Sequence, residues 1–263
     1  MNKPPLRLLF AFSAFFNFLL LAGVGGFAQE AAPRRVDTSR RVDTSRRTDT
    51  VLQPGMGGQH AAVVAMPPFW SEIVAFKRQD SLHRPPRGGI LFVGSSSFRK
   101  WTNIQADFPG YPIINRGFGG SSFPDVIRYA REIIFPYHPR QVVIYCGDND
   151  LAASDSVSAE LVYQRFVRLY DLIRSRLDTV DILYVSIKPS PSREKLIPRM
   201  EETNDLIRDF LAKHSHASFI DVYHKMLNQK GHPMEELFVE DKLHMNSRGY
   251  AIWQQVIQPY LEK

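Results

Sequence analysis

In the stretch "ILFVGSSSFRKW", residues 90–101, three serines follow an apolar run and a glycine. A serine at a strand-to-helix turn exposes its hydroxyl, and the start of the next helix offers free backbone N–H groups to a developing oxyanion. Such a serine still needs a base. A histidine serves when a carboxylate holds its second ring nitrogen, fixing the tautomer and stabilising the imidazolium. The chain offers Asp-x-x-His three times, at Asp80/His83, Asp221/His224 and Asp241/His244. Spacing alone does not choose among them, so position must.

The positions depend on the elements that carry these residues. From Pro67 onward, short β-branched runs alternate with longer helical stretches. "GILFVG", "YPIIN", "RQVVIYCG", "VDILYVSIKP" and "ASFIDV" read as five strands, each too apolar to have one wet face. "PFWSEIVAFKRQDSL" carries a helical stripe of Phe69, Trp70, Ile73, Val74 and Phe76, and further helices are expected at 122–135, 157–177, 192–214 and 246–260. This alternation predicts an α/β fold, a parallel five-stranded sheet with helices on both faces. All strand carboxyl ends then share one edge, where ligands bind in such folds.

The segments at that edge are polar: Gly94–Ser97, Asn115–Ser121, Gly147–Asp150, Lys188–Ser190, Asp221, and "EDKLHMNSRGY" before the last helix. Asp80/His83 precedes the first strand and is expected at the opposite edge as a surface pair. His224 shares a stripe with Leu227 if "VYHKML" is a helical turn, which makes Asp221/His224 the reserve pair. Asp241/His244 sits in a loop before a helix capped by Asn246 or Ser247, and is the favoured pair. Gly120 can present its N–H closely, Asn149 can add its side-chain amide, and Ser96 its own N–H, as oxyanion donors. Taken singly, each loop reads as a simple turn, with Asp148-Asn149-Asp150 capping a helix. Their coincidence at one edge favours a site. Arg99, Arg116 and Lys188 are candidates to meet an anionic substrate, and Phe118 to pack on a sugar or acyl chain. Trp101, at the end of a helical turn, reads as core.

"FVGSSSFRKW", "NRGFGGSS", "YCGDNDL" and "DKLHMNSRGY" resemble, in order and spacing, the four blocks of the SGNH or GDSL hydrolases. The resemblance covers about residues 67–263. It implies a flavodoxin-like three-layer α/β/α doubly wound fold and a Ser-His-Asp esterase with no metal or cofactor. On this resemblance Ser96 is the nucleophile, Gly120 and Asn149 are oxyanion donors with the Ser96 N–H, and His244 with Asp241 is the base and its orienter. One position departs from the pattern: Ser95 stands where GDSL has its aspartate. That loss leaves Ser95 and Ser97 as alternative registers. The implied substrates are short acyl or acetyl esters, including those of carbohydrates, thioesters and lysophospholipids. The competing reading is a phosphate- or carbohydrate-binding module, which needs the glycine loops but no His-Asp pair.

The N-terminus reads differently. Lys3 and Arg7 precede an apolar stretch from Leu8 to Val24, and Gly26 and Ala28 supply small residues, so residues 1–28 have the shape of a signal peptide cleaved after Ala28. The alternative is a retained membrane anchor, near the lower length limit for spanning. Residues 29–66 repeat RRVDTS with almost no large apolar residue, which makes a low-complexity spacer. Its six arginines, together with Lys3 and Arg7, account for most of the net charge of +6. The remainder is nearly neutral, so no nucleic-acid partner is indicated. The single cysteine, Cys146, lies in a strand and excludes a disulfide within the chain. Together these features predict a secreted, periplasmic or cell-surface bacterial protein, with no stable membrane insertion after cleavage and with oligomeric state left open.

Overall fold

The computed structural model describes residues 66–263; the leader and most of the spacer lie outside the described residues. Five strands form one all-parallel sheet: β1 (Ile90–Gly94), β2 (Ile113–Gly117), β3 (Gln141–Tyr145), β4 (Asp181–Val185) and β5 (Ala217–Ile220). Their order is β2-β1-β3-β4-β5, the doubly wound flavodoxin-like order, whose direction of winding reverses between β1 and β3. β1, β3 and most of β4 are buried on both faces, as their unbroken apolar runs require.

Helices cover both faces. Leu91, Val93, Val142, Ile144, Ile182 and Tyr184 face one core with α1 (Trp70–Leu82), α4 (Phe123–Ile133), α6 (Ala159–Arg174) and α7 (Ile197–Leu211). Phe92, Val143, Tyr145 and Val185 face the other with α2 (Ser96–Arg99), α3 (Ile104–Asp107) and α8 (Ser247–Ile257). The remaining helix, α5 (Asp148–Ala152), starts directly after β3. This is the expected three-layer α/β/α arrangement.

Trp101 belongs to the second core, stacked on Tyr250 with ring centroids 5.0 Å apart. Phe118 is also core, edge-on to Phe69 and Tyr129, and so is unavailable to a substrate. Asp80 is no free surface group: it accepts from the buried Arg116 guanidinium and, at 2.6 Å, from the Tyr137 hydroxyl. Arg116 also donates to Tyr137 Oη and to the Asn115 carbonyl, which leaves it no role at a substrate. A cation inside β2 thus serves to tie that edge strand to α1. Among the described residues no helix is long and apolar enough to cross a membrane.

Candidate active site

Gly94 ends β1 with φ of +134°, and a Cβ there would stand 1.8 Å from the Tyr145 carbonyl oxygen. Only glycine permits this approach. The chain then turns through Ser95, whose N–H donates to that same carbonyl, and enters α2 at Ser96. Ser95 and Ser97 are buried, whereas Ser96 is partly exposed. Of the three hydroxyls, Ser96 Oγ is the one beside a histidine, 2.9 Å from His244 Nε2. His244 Nδ1 in turn lies 2.6 Å from Asp241 Oδ2.

The histidine loop is built to hold that geometry. Asp241 Oδ1 accepts from the N–H groups of Leu243 and His244, so its carboxylate folds the chain back over its own histidine. Val239 N–H donates to the His244 carbonyl, and Asn246, not Ser247, caps α8 by accepting from Arg248 and Gly249. Partial burial works against the Asp241 charge, but hydrogen bonds from the His244 side chain and the two backbone N–H groups outweigh it. They hold the carboxyl well below the usual carboxylate range.

Gly120 and Asn149 meet each other, since a Cβ on Gly120 would be 3.8 Å from Asn149 Nδ2, and the glycine loop is tied to the nucleophile turn by Ser121 Oγ, which donates to the Gly94 carbonyl. No acceptor among the described residues takes the N–H of Gly120 or Ser96. Asn149 Nδ2 donates to the Ser121 carbonyl, which leaves its second N–H to be offered outward. Glu72 on α1 accepts from Gly119 and pairs with Arg99 at 2.8 Å, which anchors the glycine loop. Arg99 remains half-exposed, while Lys188 does not. Lys188 Nζ is buried 3.4 Å from Asp148 Oδ2 and 3.3 Å from Tyr145 Oη, so it is structural rather than a substrate contact. Asp148 and Asp150 do not cap α5, the helix they begin: Asp150 is buried against Arg165 and accepts from the Phe123 N–H at the start of α4, where it ties α4 to α6.

Asp221/His224 repeats the local geometry of the other pair, with Nδ1 to Oδ2 at 2.6 Å, but its imidazole is two-thirds exposed and no serine among the described residues bonds its far nitrogen. Sequence reasoning missed Glu72, Ser192 and Arg193. The last two lie in the loop after β4, and that position at the active edge was the only signal pointing to them.

The set of groups can therefore hand a serine proton to a carboxylate-held imidazole, next to free N–H donors. The model of the GDSL-like lipase/acylhydrolase family matches residues 87–252, which span all these loops. The chain belongs to this family. Solved structures similar to this GDSL-family chain include a candidate acylhydrolase from Bacteroides fragilis, 20% identical, covering 73% of this chain and 96% of that one, with a TM-score of 0.63. A GDSL-like lipase from Bacteroides thetaiotaomicron is 19% identical over 72% of this chain and 97% of its own, with a TM-score of 0.60. An acetyl xylan esterase is 16% identical over 66% of this chain and 100% of its own, with a TM-score of 0.55. At these identities the likeness is one of fold. No curated protein matches the chain.

Proposed function

We propose that this GDSL-family chain is a serine esterase in which Ser96 attacks the carbonyl carbon of a carboxylic ester. The observation that carries the proposal is the line Ser96 Oγ, His244 Nε2, His244 Nδ1, Asp241 Oδ2, with separations of 2.9 and 2.6 Å. His244 takes the Ser96 proton through Nε2 as the Oγ–carbon bond forms, and Asp241 stabilises the resulting imidazolium. The carbonyl oxygen, now negative, rests among Ser96 N–H, Gly120 N–H and Asn149 Nδ2. His244 then protonates the leaving alcohol. Water repeats the sequence against the acyl-enzyme, releasing the carboxylic acid and restoring Ser96.

A groove of about 780 Å³ lies beside Arg193 and α5, lined by Ser154, Asp155, Ser192, Glu194 and Lys195 among others. None of Ser96, His244 or Asp241 lines it, and Leu151, Ala152, Pro191 and Leu196 share its wall, so it bears on the part of the substrate beyond the reacting ester. Its hydroxyls and mixed charges there support short acyl esters of polar alcohols, carbohydrate acetyl esters above all, over lysophospholipids. The twin dyad supplies an internal control. Asp241→Asn is expected to lower kcat for p-nitrophenyl acetate by up to about 10⁴-fold, and Asp221→Asn by less than about twofold. Comparable losses in the two variants would contradict the assignment. Faster turnover of lysophosphatidylcholine than of acetylated xylo-oligosaccharides would overturn the substrate preference.

Export through residues 1–28 is part of the proposal, supported by the basic start, the Leu8–Val24 run and Ala28. N-terminal sequencing of the protein made in a bacterial host is expected to begin at Gln29; a chain that retains Leu8–Val24 would instead be anchored.

A further inference from the structure

The loop after β4 reaches back into the site from outside the four motif blocks. Pro189 and Pro191 flank Ser190, which is extended, and a 3-10 turn covers Pro191–Leu196. Inside that turn Arg193 leaves helical geometry at φ −121°, ψ 24°. The kinked residue sends its guanidinium inward, with only 16% of the side chain exposed. Nη2 donates to Asn149 Oδ1 at 2.8 Å, and Nη1 lies 3.3 Å from the buried Asp148 carboxylate. Next to it, Ser192 donates both its N–H and its hydroxyl to the carbonyl of Lys242, between Asp241 and His244. The loop is pinned from behind by Asn204, whose side chain accepts from Ile187 N–H and donates to Ile187 C=O.

We infer that Arg193 is the positioning residue of the oxyanion donor Asn149, an inference that rests on the esterase reading above. An amide group facing a guanidinium has one acceptable orientation, because the reversed amide would set N–H against N–H. Arg193 therefore turns Nδ2 towards Ser121 and the glycine loop. A charge-assisted bond to Oδ1 also draws electron density from the amide, which strengthens the opposite N–H as donor while negative charge develops on the substrate. Asp148 keeps the guanidinium in place. The Nη2 bond acts on the oxyanion donor, whose demand is greatest once negative charge has developed, so its contribution is expected in kcat.

The test is a cycle of Arg193→Met, Asn149→Ala and the paired variant, each assayed with p-nitrophenyl acetate, with Ser96→Ala alongside. Asn149→Ala is expected to lower kcat by about 10²–10³-fold. Arg193→Met is expected to lower it about tenfold or more with KM within about twofold, and the paired variant no further than Asn149→Ala alone. Arg193→Lys keeps the charge without the fork and is expected to fall between parent and methionine variant. It replaces Arg193→Met in the cycle if the latter does not fold. Added guanidinium ion is expected to restore part of the Arg193→Gly rate, which a purely structural role would not allow. Multiplicative losses in the paired variant, or an unchanged kcat in Arg193→Met, would overturn the role of Arg193 alone. Turnover surviving in Ser96→Ala would overturn the esterase reading and this inference with it.

Discussion

Ser96→Ala is expected to reduce p-nitrophenyl acetate turnover by about 10⁶-fold, leaving only what binding and the oxyanion donors supply. The fold should not notice the change. Ser96 is partly exposed and its hydroxyl bonds His244 alone, so the melting temperature is expected to stay within about 2 °C of the parent. Ser95→Ala and Ser97→Ala serve as controls for register. Ser95 Oγ is buried without a partner, so its removal is expected to leave stability unchanged or slightly raised, with turnover retained. A loss confined to Ser95→Ala or Ser97→Ala would move the nucleophile by one residue.

The second large effect is on folding. Asp148 is buried between Lys188 and Arg193, and accepts from the Tyr145 hydroxyl. Burial opposes its charge, but the two cations hold the carboxyl below the usual range; burial likewise holds the Lys188 ammonium below the usual lysine range. Asp148→Asn strands the lysine, and is expected to cost about 3–5 kcal/mol, seen in urea unfolding at neutral pH. A group whose folded pKa is depressed stabilises above its unfolded pKa, and that contribution fades as pH falls through the folded value. The gap between parent and Asp148→Asn is therefore expected to narrow in acid. Adding Lys188→Met to Asp148→Asn should recover much of the loss, since the stranded charge is then gone. A cost below about 1 kcal/mol for Asp148→Asn would mean that the buried cluster does not hold this end of the sheet together.

The strands were legible because burial on both faces leaves an unbroken apolar run, as in Ile90–Val93 and Val142–Tyr145. The long helices were legible from their stripes. The short helices carry no period in four or five residues: α2 and α5 showed only as helix starts after a strand end, and α3 not at all. Each motif loop shows its position at the active edge, but not which way its side chains face. Polarity at a strand end suggests a substrate contact at Arg116 and Lys188, yet both turn inward to carboxylates that the sequence places 36 and 40 residues away. Arg193 is the converse: its role depends on a backbone kink and on a partner 44 residues distant, neither of which leaves a pattern in "KPSPSREK". Asp221/His224 and Asp241/His244 are alike in sequence and in local geometry, and only the fold places a serine beside one of them.

The central claim is that Ser96, activated by His244, is a nucleophile. A fluorophosphonate probe reacts with an activated serine and leaves its phosphorus on the attacking oxygen, and peptide mapping then locates the adduct. A single adduct on Ser96, lost in His244→Ala and retained in His224→Ala, is the expected result. An adduct on another serine, or an unlabelled protein that still hydrolyses esters, would contradict it.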